Sequence, residues 1–376
     1  MKKTLALILT VFLSLSLLAG CAGTTVVIGE CTCPADHNPE TPTTDTPGTE
    51  APTTEAPSTA PDNDPVPQGA VKTGLAVFTD ISGSTSATAD AQGEAKYDIT
   101  MVAVLVDEQG VILSCAIDSV PASVKFDTAG QITSDLTAAV LTKNELGENY
   151  GMVAWGGAVA EWDAQVAALA SYAVGKTLEE LKNGDIDMTT GKAKDGTDLS
   201  TSATIYLGGY VQAIEAAVNN AKALGAQATD TLVLAAIPSL GSSTSAGEKA
   251  GNAQLDCDIV ALTKNGDVIT SCCIDSVQAK VAFDAAGQIT SDLTAKVSTK
   301  NELGENYGMV AWGGAIAEWD QQAAAFAAYV TGKTAAEVAG IAISETTKPA
   351  DGTDLATSVT ISIAGFQALI AKAMAQ

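Results

Sequence analysis

The 376-residue sequence contains no arginine, and its only histidine is His37. All 19 basic residues are lysine, against 44 acidic residues, so the formal net charge is −25. Nucleic-acid binding and adsorption on an anionic bilayer both require a basic surface, so this charge argues against both. Because guanidinium groups are the usual bidentate phosphate ligands, any phosphate here must be held by lysine, by backbone N–H groups or by a covalent bond.

A short apolar run near the N-terminus is typical of an export signal. Lys2 and Lys3 precede an apolar core from Leu5 to Leu18, which is short for a membrane span, although a transmembrane helix is the alternative. The sequence Leu-Ala-Gly-Cys that ends at Cys21 resembles a bacterial lipobox. That resemblance implies that residues 1–20 are removed and that Cys21 is acylated and anchored in the lipid bilayer.

Residues 21–68 are predicted to be a disordered tether. They are crowded with threonine, proline and acidic residues and contain no lysine or arginine, so they offer too little apolar surface for a core. Cys31, Cys33 and His37 lie in this stretch. A zinc site needs about four ligands, so a pair of solvated or disulfide-bonded thiols is the favoured interpretation.

The remainder of the chain repeats itself. Residues 129–138 return unchanged as 286–295, and residues 142–158 return unchanged as 299–315, both at an offset of 157. This period is far longer than that of solenoid repeats. The sequence therefore predicts two tandem duplicated domains, at residues 69–226 and 227–376.

Each repeat is predicted to be an α+β domain in which an antiparallel sheet packs with helices. Apolar runs predict strands over residues 98–106, 111–120 and 123–126 in the first repeat. The helical spacing of Trp155, Val159, Trp162, Val166 and Leu169 predicts a helix. A short β-like run and a final helix then follow in each repeat, at residues 204–207 and 210–224 and at residues 360–363 and 366–375.

A Ser/Thr-rich motif precedes each final helix. It reads DLSTSAT from Asp198 to Thr204 and DLATSVT from Asp354 to Thr360. Asp-x-x-Thr-Ser-Ala-Thr resembles the flavinylation motif of FMN-binding domains, usually Asp-x-x-Ser/Thr-Gly-Ala-Ser/Thr. The resemblance implies that a Mg²⁺-dependent FAD:protein FMN transferase esterifies one FMN onto Thr204 and a second onto Thr360. It also implies that the other motif positions form the acceptor segments: Asp198, Thr201, Ser202, Ala203, Asp354, Thr357, Ser358 and Val359.

The motif departs from the family pattern at two places. Ser202 and Ser358 replace the usual glycine, and Val359 replaces alanine beside Thr360. Asp198 and Asp354 are candidates for recruiting the transferase's metal or for capping the turn, and the following backbone N–H groups are candidates for binding the ester's remaining charge. Without a cofactor, the motif would be an Asx or Ser/Thr turn that caps a helix or strand.

The whole chain resembles the PplA-type surface lipoproteins of Gram-positive extracellular electron transfer. The shared features are the lipid anchor, the Thr-rich tether, the two repeats and the Asn-Tyr-Gly-Met stretches at residues 149–152 and 306–309. The resemblance implies an electron carrier on the outer face of the cell membrane, which passes electrons from a membrane quinol oxidase system to extracellular acceptors. Two alternatives are a non-redox adhesion or binding lipoprotein and a flavin-dependent reductase with its own substrate.

Aromatic and cysteine side chains leave alternatives open. Trp155, Trp162, Trp312, Trp319, Tyr150 and Tyr307 are candidates for stacking on a flavin, although tryptophan at helical spacing is more often part of a core. The strand positions of Cys115, Cys257, Cys272 and Cys273 favour buried thiols over disulfides.

Overall fold

The structure is a computed structural model that describes residues 71–376. It is α+β with antiparallel sheets, as the sequence predicts. The predicted signal segment, Cys21 and the tether lie outside the described residues. No helix within residues 71–376 is long and apolar enough to cross a bilayer.

Within residues 71–376, eight strands form three sheets. The first sheet has the strand order β1-β2-β3, and the third has the order β6-β7-β8. The second sheet is a small antiparallel pair, β4 and β5, which lies between the other two sheets in the sequence. The strands are β1 (Lys72–Asp80), β2 (Gly93–Val106), β3 (Ile112–Phe126), β4 (Ile186–Asp187), β5 (Lys192–Ala193), β6 (Thr231–Ser239), β7 (Gly251–Asn265) and β8 (Val268–Phe283).

The strand predictions are partly wrong. β1 was not predicted, and the second and third predicted strands of the first repeat are one continuous strand, β3. Pro121 separates those two predictions, but it lies opposite Asp98 on an edge strand of the sheet. Proline is tolerated there because an edge strand needs hydrogen-bond donors on one side only.

The described residues contain eleven α-helices, several of them a single turn. They are α1 (Lys143–Leu146), α2 (Met152–Gly156), α3 (Trp162–Ala173), α4 (Leu178–Asn183), α5 (Asp198–Ser202), α6 (Gly208–Asn219), α7 (Lys300–Leu303), α8 (Met309–Gly313), α9 (Trp319–Val330), α10 (Ala335–Ala339) and α11 (Ala364–Met374). Thr142 begins α1 with a capping box to Glu145, and Thr299 begins α7 in the same way.

The predicted helix through Trp155 and Trp162 is two helices. Gly157 ends α2 with a φ of 63°, a left-handed conformation that glycine adopts without strain. The predicted β-like runs at residues 204–207 and 360–363 are irregular segments rather than strands. The two final helices are confirmed as α6 and α11, although α6 ends at Asn219, short of the predicted end at residue 224.

The two large sheets pack face to face, with helices on their outer faces. One hydrophobic core combines inward-facing residues of β1–β3 with those of β6–β8. At its centre Phe126 stacks on Phe283, with ring centroids 4.1 Å apart and an interplanar angle of 2°. A second core lies between the first sheet and helices α3 and α6, and a third core lies between the third sheet and helices α9 and α11.

The first half (residues 71–225) and the second half (residues 226–376) also exchange reciprocal hydrogen bonds. The Ala87 N–H donates to the Gly287 carbonyl, and the Ala246 N–H donates to the Gly130 carbonyl, each at 2.8 Å. Gln131 donates through Nε2 to the Ala246 carbonyl, just as Gln288 donates to the Ala87 carbonyl, both at 2.9 Å. The two halves therefore contact each other as near-equivalent partners across a shared core.

Candidate functional site

The first Thr motif forms the short helix α5, which leaves Thr204 just beyond its end. Thr197 is the N-cap, and its hydroxyl accepts a hydrogen bond from the Ser200 N–H. The Thr201 hydroxyl donates to the Asp198 carbonyl at 2.8 Å. Capping of this turn is therefore performed by Thr197, and the expectation that the Asp198 carboxylate would cap it is wrong.

The second motif forms a looser turn with the same anchor. Residues 355–357 are a single 3₁₀ turn, and the Thr357 hydroxyl donates to the Asp354 carbonyl at 2.6 Å. Leu199 in the first motif and Leu355 in the second are both buried in a hydrophobic core. Asp198, Ser202, Asp354 and Ser358 are exposed, so both turns present polar side chains to solvent.

Thr204 is held by a buried glutamine. Oε1 of Gln165 accepts from the Thr204 N–H at 2.8 Å, from the Ile205 N–H at 3.1 Å and from the Thr204 hydroxyl at 3.3 Å. Nε2 of Gln165 donates to the Ala160 carbonyl at 2.8 Å, which fixes the amide in place. Gln165 has no exposed surface, whereas Thr204 is exposed.

Thr360 is held in the same way by Gln322. Oε1 of Gln322 lies 2.7 Å from the Thr360 nitrogen, 3.2 Å from its Oγ1 and 3.2 Å from the Ile361 nitrogen. Val359, which replaces the family's alanine, points into the third core with no exposed surface, as the smaller Ala203 does in the second core with 2%. Its extra bulk is therefore buried and leaves the hydrogen bonds of Thr360 like those of Thr204.

This geometry leaves the threonine oxygen available to an electrophile. Because the Oε1 atom of Gln165 can only accept, the Thr204 hydroxyl is the donor, and its oxygen lone pairs remain unused in this contact. The Thr204 and Ile205 N–H groups are bonded to Gln165, and those of Leu207 and Gly208 are bonded to the Gly191 carbonyl. The expectation that the N–H groups after the motif bind the ester's charge is therefore wrong for these four groups.

A cleft of about 710 Å³ opens beside Thr204. Ile205 and Tyr206, which follow Thr204 directly, form part of its lining. The other lining residues are Phe78, Asp80, Thr100, Lys143, Tyr150, Met152, Trp162, Gly209, Tyr210 and Gln212. We call this space the first cleft.

Among the residues that the structure describes, Lys143 is the only cation in the lining of the first cleft. Its Nζ forms a 3.2 Å ion pair with Asp98 and lies 5.2 Å and 5.1 Å from the ring centroids of Tyr150 and Trp162. Burial of Lys143 opposes its charge and is the largest single effect, but Asp98, Tyr150 and Tyr210 together outweigh it and raise the lysine pKa. Lys143 therefore keeps a positive charge in an aromatic environment.

The residues present fit an FMN bonded to Thr204. An isoalloxazine ring needs a space of a few hundred Å³ with flat apolar walls and a few polar groups. The first cleft offers five aromatic side chains, from β1, the 3₁₀ turn before α2, α3, the segment before α6 and α6 itself, together with Lys143. The ester phosphate would lie at its edge, where Thr204 is exposed.

The two tryptophans of the first half have opposite environments. Trp162 is 4% exposed, and its Nε1 donates to the Tyr210 hydroxyl at 2.9 Å, so it is both a core residue and part of the cleft. Trp155 is 92% exposed, as is Trp312 in the second half. A core position is thus confirmed for Trp162 and Trp319 and is wrong for Trp155 and Trp312.

Sequence reasoning missed Gln165, Gln322 and the two lysines, Lys143 and Lys300. A signal was present, because each pair recurs at the offset of 157. Both glutamines interrupt the apolar face of an alanine-rich helix. A polar residue at the same core position of two repeats indicates a specific hydrogen bond.

The described cysteines are free thiols, as predicted. Burial raises the pKa of Cys115 to about 12 and that of Cys273 to about 11, so neither is a reactive thiolate at neutral pH. Within residues 71–376 no group of three or more His, Cys, Asp or Glu side chains is placed to hold a metal ion.

Comparison of the chain with protein-family models, with curated proteins and with solved structures found no match.

Proposed function

We propose that this protein is a membrane-anchored extracellular electron carrier with one FMN esterified to Thr204 and another to Thr360. The observation that carries this proposal is the shared arrangement of the two threonines. Each is the last residue of the motif, and a fully buried glutamine accepts hydrogen bonds from its N–H, from its hydroxyl and from the N–H of the next residue. An ordinary capping turn does not need such a glutamine, since its own hydroxyls satisfy the backbone.

Attachment requires an accessible and oriented hydroxyl. Thr204 is exposed, and Gln165 restricts its side chain so that its oxygen is presented outward to a transferase that carries FAD. In the reaction the threonine oxygen forms a bond to the FMN phosphorus, AMP leaves, and the hydroxyl proton is released. After esterification, Gln165 still accepts from the Thr204 and Ile205 N–H groups, so the segment keeps its anchor.

A covalent bond suits this protein's composition. With no arginine and a net charge of −25, it has little capacity to retain a phosphate by affinity alone. Esterification makes the FMN phosphate a monoanion and prevents loss of the cofactor outside the cell. FMN supplies the redox chemistry when bound, while the protein positions it and sets its surroundings.

The proposed partners follow from this role. They are the FMN transferase, a membrane complex that donates electrons, such as a quinol oxidase system, and extracellular acceptors. Acylation of Cys21 would hold the chain on the outer face of the cell membrane of a Gram-positive bacterium, with residues 21–68 as the tether between the anchor and the rest of the chain.

The test is attachment of FMN to the full chain. Protein produced with the transferase and FAD should show in-gel flavin fluorescence and two FMN-sized increments in intact mass. Thr204→Ala and Thr360→Ala should each lose one increment, and the double variant should lose both. Thr229→Ala is the matched control, because it removes an exposed threonine hydroxyl outside both motifs and should keep both increments. Wild-type protein without any increment would refute the carrier function and favour the adhesion alternative.

A further inference from the structure

Thr204 and Thr360 have equivalent glutamine partners, but the side chains around the two threonines differ. The strand registers identify the counterparts, because Thr100 pairs with Ser119 in the first sheet and Asp258 pairs with Ser276 in the third. Ser119 and Ser276 are separated by the repeat offset of 157. Asp258 therefore occupies the position that Thr100 has in the lining of the first cleft.

Aromatic side chains of the first cleft are also replaced. The same registers match Phe78 with Ile237, and the offset of 156 at the motif matches Tyr206 with Ser362 and Tyr210 with Phe366. These three changes remove two aromatic rings and two phenol hydroxyls. The second site is therefore less aromatic and has fewer hydrogen-bond donors than the first.

The lysine of the first cleft is retained in the second half. Nζ of Lys300 lies 4.7 Å from the Trp319 ring centroid and 5.4 Å from that of Tyr307. Asp258 reaches the same region, since its Oδ2 lies 3.3 Å from the place that a Cβ on Gly365 would occupy. Gly365 is the counterpart of Gly209, which lines the first cleft.

The acidic groups of the two sites differ in position. In the first cleft Asp80 is exposed, and its counterpart by strand register is the neutral Ser239. The second site instead has Asp258, which is half-buried. Charges at an exposed rim are screened by water and salt, whereas a charge that is partly removed from solvent acts more strongly.

The lysines of the two sites also differ in their pKa shifts. Burial lowers the pKa of Lys300 despite the opposing effect of Asp258 and Asp256, and burial raises the pKa of Asp258. The corresponding Lys143 has a raised pKa. Lys300 thus holds its positive charge less firmly than Lys143 does.

We propose that the two flavin sites have unequal reduction potentials, and that Asp258 makes the flavin on Thr360 harder to reduce than the flavin on Thr204. This inference rests on the proposed function. Reduction adds negative charge, which a nearby carboxylate disfavours and which Lys143 and the phenol donors of the first cleft favour. Electron transfer within the chain is then downhill from the flavin on Thr360 to the flavin on Thr204. In this step the flavin on Thr360 becomes oxidised and the flavin on Thr204 becomes reduced.

The test uses proteins that carry a single flavin. Thr360→Ala retains only the site at Thr204, and Thr204→Ala retains only the site at Thr360. Each loaded protein is titrated against a redox dye and followed by flavin absorbance. At the same solution potential, the ratio of reduced to oxidised flavin should be at least about tenfold higher at Thr204 than at Thr360. This ratio corresponds to a difference in reduction potential of about 30 mV for a two-electron couple.

Two substitutions assign the difference to its cause. Asp258→Asn in the Thr204→Ala protein should raise the potential, and Thr100→Asp in the Thr360→Ala protein should lower it. Equal potentials, a reversed order, or an unchanged potential in Asp258→Asn would overturn the inference while leaving the carrier function intact. Failure of both threonines to take up FMN would instead overturn the proposed function, and this inference with it.

Discussion

Replacement of Gln165 by leucine tests whether this side chain holds Thr204. Leucine has a similar size and is apolar, so Gln165→Leu keeps most of the packing of α3 while it removes every polar contact of the amide. The Thr204 N–H, the Ile205 N–H and the Ala160 carbonyl then lose their partners. We expect this loss to reduce the free energy of unfolding.

The magnitude follows from the exposure of those groups. A buried polar group without a partner costs about 1–3 kcal/mol. Thr204 is exposed, so water can replace its lost bond, whereas Ile205 and Ala160 are half-buried. The expected total is about 2–4 kcal/mol, measured by urea unfolding of the full chain. Gln212→Leu, the same change at an exposed position of α6, should stay within about 0.5 kcal/mol.

The same variant should affect FMN attachment at one site only. In Gln165→Leu the Thr204 hydroxyl has lost its orienting acceptor, so attachment there should fall, while Thr360 is still held by Gln322 and serves as the internal control. Peptide mass spectrometry after reaction with the transferase measures each site separately. A destabilisation below about 1 kcal/mol together with full attachment at Thr204 would refute the reasoning.

Three further predictions concern stability. Trp155→Ala should change the free energy of unfolding by less than about 0.5 kcal/mol, whereas Trp162→Ala should cost about 3–5 kcal/mol in the same urea titration, and equal effects would contradict the assigned environments. Phe283→Ala removes the ring stacked on Phe126 and should cost about 3–5 kcal/mol in one cooperative transition; separate transitions of the halves in calorimetry would argue against a shared core. Burial raises the pKa of Asp275 from 3.8 to about 6, so the native state retains a proton that the unfolded chain releases, and stability falls as the pH rises through this window. The free energy of unfolding of Asp275→Asn, relative to that of the wild type, should therefore increase by about 2–3 kcal/mol between pH 4 and pH 7. A difference that does not change with pH would count against this reasoning.

Local sequence signals predicted the fold class and much of the second and third strands, but they did not predict β1. Gly74 interrupts the apolar pattern of that strand, and glycine usually argues against a strand interior. The structure gives the reason, since a Cβ at Gly74 would lie only 2.0 Å from the Ala217 carbonyl oxygen of α6. Contact between a strand and a helix 143 positions away in the chain cannot be read from the residues around Gly74.

The motif segments show a second limit of local patterns. Thr204, Ile205 and Tyr206 all favour strands, yet no neighbouring strand pairs with them, and Gln165 accepts two of their N–H groups instead. The position of the threonines after a turn was predictable from the motif. Their glutamine partners were not, because they lie 39 and 38 residues earlier in the chain and within alanine-rich helices.

The reciprocal contacts between the halves also limit how such a chain can grow. Each half presents the same face of its sheet to the other, and Gly130 and Gly287 make equivalent backbone contacts across the junction. An association of this kind is closed, because the sheet face by which each half associates is buried against the other half. A third unit of this kind would therefore find no equivalent free sheet face on the existing pair.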